Sequence, residues 1–304
     1  MCNNPIYAVR LCSSSDTGKD IIKILPKRLD CDALHILEDK YGKDRVFTLP
    51  CGTCLSCLTQ YSRDWAVRCM LESSYYKYNW FVTLTYDNNN LPSTKEEARK
   101  DIDLFLKRLR SSVPGVRYFG SFEKGERSKR PHFHLILFNC PLEDLIIVGK
   151  RKNGYLWKSP FLFSCWKKGL IDIGTVTFES CGYVARYVIK KRVEKDPDEF
   201  IMMSRMPGIG QQWFMDHIDD VAKYGKIVFN FGTFKEAPLP RYFDKLLEKY
   251  RPEALEHLKN QRSEFVALDT MSELTANGFH YREENFIFRE QELGRKLNRL
   301  KRRL

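Results

Sequence analysis

The 304-residue chain has no uninterrupted apolar stretch of the roughly 20 residues that a membrane helix requires. Its N-terminus, MCNNPIYAVRLCSSSD, lacks the long apolar segment of a secretory signal peptide. Neither an internal repeat nor a low-complexity linker is present, which excludes a solenoid array. These absences predict a cytoplasmic protein with no membrane contact. In that compartment the ten cysteines should be reduced thiols or metal ligands rather than disulfides.

Acidic residues are the next shortage. The 39 Asp and Glu residues are outnumbered by 51 Lys and Arg residues, which gives a net charge of +12. Such an excess attracts a polyanion, and nucleic acid is the first candidate. Hydrophobic residues make up 43% of the chain, which is enough for a sizeable core. The length allows one large domain or two small ones.

The order of the apolar patterns predicts an α+β fold. Segments rich in aromatic and β-branched residues predict strands at 80–87, 115–123, 132–138 and 170–178. After the first strand, Ser93 or Thr94 can cap a helix. Its apolar stripe falls at Ile102, Phe105, Leu106 and Leu109. The segment SCGYVARYVIKKRV and the charged segments from Pro240 onward also have helical spacing. We therefore expect an antiparallel sheet with helical extensions after it.

Histidine is scarce, with six residues in the chain, yet two of them stand one residue apart in RPHFHLILF. Side chains alternate across a strand, so His132 and His134 share one face. Glu123, at the end of the facing strand, is placed to supply an oxygen ligand, and Glu126 in the turn is the reserve. Two imidazoles and a carboxylate form a metal site with open positions. A pair of hydrogen-bonded core histidines is the competing interpretation.

Two tyrosines lie on one face of the helix predicted for GYVARYVIKK. Tyr183 and Tyr187 are four residues apart, and Lys190 and Lys191 continue near that face. Tyrosine is a nucleophile, but its phenol has a pKa of about 10 and needs nearby cations. Metal, tyrosine and lysine together suit cleavage of DNA through a covalent phosphotyrosine. Core packing is the alternative for the tyrosines. A zinc or iron enzyme acting on a small substrate is the alternative for the site, because imidazoles suit those metals.

A cysteine cluster is a candidate structural metal site. Three of its members have the spacing CxxCxxC: Cys51, Cys54 and Cys57. Thiolates at this spacing suit tetrahedral Zn²⁺ or an iron–sulfur cluster. The fourth ligand would be Cys69 on the following helix or, from the N-terminal arm, Cys2, Cys12 or Cys31. Buried free cysteines are the alternative.

Basic residues near these motifs predict contacts with nucleic acid. They lie in the turn before the histidines, beside the tyrosine face and in the segment SRDW: Arg127, Lys129, Arg130, Arg186 and Arg63. Such side chains can hold a phosphate backbone. Trp65, in SRDW, adds a ring on which a base could stack.

Three segments in order, FVTLTYD, RPHFHLILF and YVARYVIKK, resemble the three motifs of the HUH endonucleases. PCGTCLSCLTQYSRDWAVRC, CWKKGLIDIGTVTFES and SRMPGIGQQWF further resemble segments of the replication initiators of gokushovirus-type microviruses, which are small single-stranded DNA phages. The resemblance covers roughly residues 50 to 215. It implies an RRM-like α+β fold, with about five antiparallel strands and helices on one face of the sheet.

The resemblance also implies a mechanism for starting rolling-circle replication. His132, His134 and Glu123 would hold Mg²⁺ or Mn²⁺. Tyr183 or Tyr187 would attack a phosphate at the phage origin. This attack leaves a 5′-phosphotyrosyl adduct and a free 3′-OH that primes a host polymerase. A non-catalytic, zinc-dependent DNA-binding regulator is the alternative.

The same resemblance assigns further roles and partners. Lys190 or Lys191 would match the lysine of the family's tyrosine motif. The implied partners are single-stranded origin DNA and host replication proteins in the bacterial cytoplasm. We expect an N-terminal region with the cysteines at 1–72, the nuclease core at 73–215 and a helical, basic extension at 216–304.

Overall fold

The computed structural model of the chain describes residues 2–13, 20–25, 31–125, 129–151, 154–185, 199–230, 234–277 and 282–301. Two compact units are present. One combines Met1–Gln60 with Arg262–Leu304, and the other is Tyr61–Gln261. The domain limits expected after residues 72 and 215 stay predictions.

The smaller unit contains a three-stranded antiparallel sheet with the order β2–β1–β3. These strands are β1 (Ile6–Ser13), β2 (Asp20–Ile24) and β3 (Val46–Leu49). Helix α1 (Cys31–Tyr41) and a short 3-10 helix (Lys43–Arg45) lie between β2 and β3. None of these strands was predicted, because their short, mixed sequences have no clear alternation.

The larger unit is built on a seven-stranded sheet with the order β10–β5–β6–β4–β9–β8–β7, in which each of these neighbouring pairs is antiparallel. Its strands are β4 (Asn79–Tyr86), β5 (Arg117–Lys124), β6 (Pro131–Phe138), β7 (Ile146–Arg151), β8 (Gly154–Lys158), β9 (Gly169–Thr175) and β10 (Phe200–Met203). The α+β class and the central antiparallel sheet are confirmed. The four predicted strands are β4, β5, β6 and β9, and three short strands enlarge the sheet beyond the expected five.

Helices make up most of the remainder. They are α2 (Leu55–Ser73), α3 (Lys95–Ser112), α4 (Pro160–Trp166), α5 (from residue 178, described to 185), α6 (Gln211–Asp216), α7 (Ile218–Tyr224), α8 (Arg241–Tyr250), α9 (Pro252–Asn277) and α10 (Arg282–Lys301). A hairpin of β11 (Lys226–Asn230) and β12 (Phe234–Pro238) precedes α8. Within the described residues, no helix combines the length and the apolar character needed to cross a bilayer.

Helices α3 and α4 cover one face of the large sheet. The predicted stripe of α3 is buried there: Ile102, Phe105, Leu106 and Leu109. It packs in one core cluster with the side chains of β6 on that face: Phe133, Leu135 and Leu137. Trp166, at the end of α4, completes the contact and is fully buried.

The opposite face of the sheet is covered as well, so helices lie on both faces rather than on one. Ile136 and Phe138 of β6 pack there with Trp65 of α2 and Val184 of α5. The cause is the sequence of β6, whose last residues are apolar on both sides of the strand. At its other end, the same face carries the two histidines.

Thr94 caps α3, as one of the two predicted candidates. Its hydroxyl accepts the Glu97 amide hydrogen at 3.2 Å. Replacing Thr94 with Ala removes this acceptor and should lower the free energy of unfolding by about 1 kcal/mol. Urea unfolding followed by circular dichroism measures the change. Ser93→Ala is the matched control, and an equal loss in both variants contradicts the assignment of the cap.

Candidate metal centre and active site

The antiparallel register of β5 and β6 brings an acid and two imidazoles together. Glu123 lies directly opposite His132, and His134 lies on the same face, opposite Ser121. Glu123 Oε1 is 2.7 Å from His132 Nε2 and 2.9 Å from His134 Nε2. The two Nε2 atoms are 3.1 Å apart. The three side chains predicted as ligands therefore meet at one point, whereas Glu126 lies outside the described residues.

Two further contacts orient the imidazoles. His132 Nδ1 is 2.9 Å from the carbonyl oxygen of Arg130. A carbonyl can only accept, so Nδ1 donates to it, and Nε2 of neutral His132 presents a lone pair to Glu123. His134 Nδ1 lies 3.1 Å from the hydroxyl of Thr83 on β4. Outer hydrogen bonds of this kind fix the orientation of metal-binding histidines.

The facing atoms of this cluster call for a cation between them. An ionised carboxylate oxygen only accepts hydrogen bonds, and so does the lone-pair nitrogen of an imidazole. Glu123 is 2% exposed. Its second oxygen, Oε2, is buried and makes no hydrogen bond to any residue that the structure describes. One shared proton relieves a single pair, whereas a divalent ion can bind all three groups. The donor set, two nitrogens and one carboxylate, therefore fits a metal.

The electrostatics of the cluster follow from its burial and its hydrogen bonds. Burial acts to raise the pKa of Glu123, but the hydrogen bonds with both imidazoles outweigh it and lower that pKa. Burial acts to lower the pKa of His132, yet its hydrogen bonds to Glu123 and to the Arg130 carbonyl raise it. For His134, which is more deeply buried, desolvation prevails and the pKa falls. The carboxylate is thus held ionised, ready to face a cation.

Tyr183 lies at the edge of this cluster. Its ring centroid is 5.2 Å from that of His134, in an edge-to-face arrangement with an interplanar angle of 80°. Phe81 contacts the rings of both residues. Tyr183 is 37% exposed, so a large substrate can reach it. Tyr187 lies outside the described residues.

The basic residues predicted to bind DNA differ in their surroundings. Arg63 and Lys129 are exposed. Arg130 is half-buried, and its guanidinium donates to the carbonyl oxygen of Tyr86 at 2.8 Å and to the Asn88 side chain. Arg130 thus fastens the end of β4 to the residues that precede the histidines. Four other predicted residues lie outside the described part of the chain: Arg127, Arg186, Lys190 and Lys191.

Trp65 is a core residue and not a platform for a base. It is 6% exposed and stacks on Phe119 with 4.3 Å between ring centroids. The guanidinium of Arg68 lies over its ring at 3.9 Å. The prediction of base stacking by Trp65 is therefore wrong, because Phe119 and Arg68 already contact its ring.

A second convergent group consists of four thiols in the smaller unit: Cys2, Cys51, Cys54 and Cys57. A hydrogen bond from the Cys57 thiol lowers the pKa of Cys2 to about 5, and the same bond raises the pKa of Cys57. Cys69 does not belong to this group. It lies twelve residues after Cys57 on α2, about 18 Å along a helix. There it is fully buried and its thiol contacts Cys181. Cys2, one of the alternatives from the N-terminal arm, takes its place.

Sequence reasoning missed one acid near the histidines. Glu199 is 8% exposed and immediately precedes β10, which pairs with β5 through Phe200 and Phe122. Its charge acts on His132 and raises the pKa of that imidazole. The short strand FIMM gave no clear signal, and without the strand no register could place Glu199 near the site.

Residues 79–192 match the family model of the replication-associated proteins of the ORF2 type. Replication-associated protein ORF2 of Spiroplasma virus 4 is 33% identical over 267 residues, which cover 80% of this chain and 79% of that protein. Replication-associated protein VP4 of Bdellovibrio phage phiMH2K is 32% identical over 222 residues, covering 68% and 70%. Replication-associated protein ORF4 of Chlamydia phage 1 is 31% identical over 237 residues, covering 72% and 57%.

No solved structure matches the chain significantly. The family match contains β4, β5, β6 and the described part of α5, and hence the three candidate metal ligands and Tyr183. With these relatives over most of its length, the chain belongs to the replication-associated proteins of the gokushovirus-type microviruses.

Proposed function

We propose that this protein is a metal-dependent endonuclease and strand transferase of the HUH type, which nicks and rejoins phage origin DNA through a tyrosine. One observation carries the proposal: the ring of Tyr183 contacts His134 in the cluster of Glu123 and His132. A phenol beside two imidazoles and a carboxylate is the arrangement that covalent cleavage of a phosphodiester requires.

Glu123, His132 and His134 would hold Mg²⁺ or Mn²⁺ on the face of β5 and β6. When bound, the ion withdraws charge from the scissile phosphate and makes its phosphorus easier to attack. Nitrogen-rich sites also accept Zn²⁺ and Fe²⁺. The hard phosphate oxygens of the substrate and the relationship to phage replication proteins favour Mg²⁺ or Mn²⁺.

Tyr183 would act as the nucleophile. Its phenolic oxygen forms a bond to phosphorus while the bond from phosphorus to the 3′ oxygen breaks. The phenol gives up one proton and the departing 3′ oxygen gains one, so the exchange is balanced. The products are a 5′-phosphotyrosyl adduct and a free 3′-OH. Since the number of phosphodiester bonds is unchanged, attack by a 3′-OH on the adduct can rejoin the strand.

The following segment would supply the remaining groups. Tyr187 would serve as the second nucleophile in successive rounds of cleavage and joining. Lys190 or Lys191 would stabilise the negative charge that develops on the phosphate. Arg63 and Lys129, both exposed, would contact the DNA backbone.

In the infected cell, the enzyme would act on single-stranded DNA at the phage origin in the bacterial cytoplasm. The free 3′-OH would then be extended by a host polymerase, which begins rolling-circle synthesis. The net charge of +12 supports binding to this polyanion. A role restricted to binding DNA would leave the contact of Tyr183 with His134 without a purpose.

The covalent step can be detected directly. Full-length protein is incubated with single-stranded phage origin DNA and Mn²⁺ and resolved on a denaturing gel. We expect a protein–DNA species that EDTA abolishes and that Tyr183→Phe with Tyr187→Phe removes, because no phenolic nucleophile remains at the site. Tyr224→Phe, at an exposed tyrosine of α7, is the control. Survival of the species in the double variant contradicts the role of the tyrosines. Binding without any adduct in the wild-type protein supports the non-catalytic regulator.

The metal ligands can be tested independently of DNA. Titration of Mn²⁺ by calorimetry should give one site in the wild-type protein at neutral pH. Glu123→Gln keeps the size of the side chain but removes its charge, so Mn²⁺ should bind at least about tenfold more weakly. His132→Ala with His134→Ala should abolish this binding, whereas His257→Ala on α9 should leave it unchanged. An unaltered affinity in the histidine double variant contradicts the assignment.

A further inference from the structure

We propose that Cys2, Cys51, Cys54 and Cys57 bind one Zn²⁺ ion, which holds the smaller unit together. This site is separate from the proposed nuclease chemistry. Its ligands are four thiolates, the set that structural zinc sites use.

The sulfur positions match a single tetrahedral ion. Cys2 Sγ lies 3.6 Å from Cys51 Sγ and 3.8 Å from Cys54 Sγ. The four sulfurs all lie within 4.8 Å of one another. A zinc–sulfur bond of about 2.3 Å in a tetrahedron places the sulfurs about 3.8 Å apart. A disulfide requires about 2.05 Å, and all four cysteines are free thiols.

The nuclearity also follows from these distances. In an iron–sulfur cluster with several irons, the cysteines bind different iron atoms and must stand further apart than ligands of one ion. The group therefore fits a mononuclear site. Among mononuclear ions, zinc is the usual partner of four cysteines at CxxC spacing.

The backbone around the sulfurs is arranged to stabilise thiolates. The amides of Cys51 and Asn4 donate to Cys2 Sγ at 3.3 and 3.4 Å. Those of Thr53 and Cys54 donate to Cys51 Sγ at 3.4 and 3.3 Å. Gly52, with a φ of +71°, provides the turn that aims these amides at the sulfur. Hydrogen bonds to a charged acceptor are the stronger kind, so the loop is prepared for thiolate ligands.

The smaller unit needs such a link because its core is small. Among its described residues, four are buried: Ala8, Val9, Leu58 and Asn285. A unit with so little buried apolar surface gains little stability from the hydrophobic effect. An ion bound by Cys2 and by the loop before α2 closes a long stretch of chain in the folded state.

A carboxylate of α10 reinforces the same junction. Glu290 accepts the amide hydrogen of Leu55, the first residue of α2, at 2.7 Å. Its other oxygen accepts from the side chain of Asn3, also at 2.7 Å. The zinc site and Glu290 thus join the N-terminus, the start of α2 and α10 into one structure.

The test measures metal in the full-length protein, without DNA. Elemental analysis should find one zinc per chain that a thiol-modifying mercurial releases. Replacement by Co²⁺ should give the intense thiolate-to-cobalt charge-transfer absorption, which the histidine and carboxylate site cannot produce. Cys2→Ala should weaken metal binding at this site by more than about 100-fold, since it removes a direct ligand. Cys165→Ala, at a buried cysteine of α4, is the matched control.

Three results would overturn the proposal: no thiol-bound metal in the wild-type protein, a disulfide among the four cysteines, or equal metal binding by Cys2→Ala. Coloured protein with bound iron would replace zinc by iron. Because no step uses DNA, these results are independent of the nicking reaction. If Cys2→Ala does not fold, metal release from the wild-type protein and its cobalt spectrum still decide.

A different observation concerns the histidine cluster, and the inference from it rests on the proposed function. Phe200 pairs with Phe122, and their rings stack with 5.1 Å between centroids. Continuing this antiparallel register by one residue sets Glu199 beside Glu123, on the opposite face from the two phenylalanines. That face is the one that carries His132. We infer that Glu199 is a positioning residue that holds the charge balance of the metal centre.

A second carboxylate near the ligands strengthens the hold on a divalent cation, because it offsets more of the ion's charge. Glu199→Gln should therefore weaken Mn²⁺ binding by about tenfold without abolishing it. Glu199→Asp should restore most of the affinity, and Glu143→Gln, at an exposed site, should change nothing. Calorimetric titration of the three variants gives the comparison.

Equal Mn²⁺ affinity of Glu199→Gln and the wild-type protein refutes the role of Glu199. Absence of Mn²⁺ binding in the wild-type protein refutes the proposed metal centre instead. The two failures are thus distinguishable.

Discussion

The pairing of β5 with β6 is the constraint on which the functional centre depends. It sets Glu123 against His132 and leaves His134 on the same face, with three acceptor atoms at 2.7 to 3.1 Å. Such a group is unfavourable unless a cation lies within it. A slip of one residue in the register would turn Glu123 to the other face of the sheet and separate the three atoms.

The surrounding fold serves this pairing from both sides of the sheet. The apolar residues of β6 on one face anchor it on α3 and α4, through Phe133 and Leu135. On the other face, Ile136 and Phe138 pack against α2 and α5. Helix α5 then carries Tyr183 to the edge of the histidine cluster. The burial that stabilises the sheet thus also positions the phenol, so core and centre depend on the same strand.

Much of this could be predicted from the sequence, because period-two patterns report directly on the faces of a strand. The shared face of His132 and His134, the carboxylate at Glu123 and the stripe of α3 all followed from spacing. Glu199 and Cys2 could not be placed, since each depends on contacts between segments distant in the sequence. Trp65 was misassigned because a ring beside an arginine looks the same whether it stacks on DNA or on Phe119. The fourth cysteine depended on where the chain's N-terminus lies, which no local pattern shows.

The most direct test of the metal centre is anomalous diffraction from crystals of the protein grown with Mn²⁺. We predict one manganese peak bounded by Glu123 Oε1, His132 Nε2 and His134 Nε2, with the hydroxyl of Tyr183 or Tyr187 facing the same cleft. A manganese peak elsewhere, or both hydroxyls directed away from that cleft, would contradict this prediction.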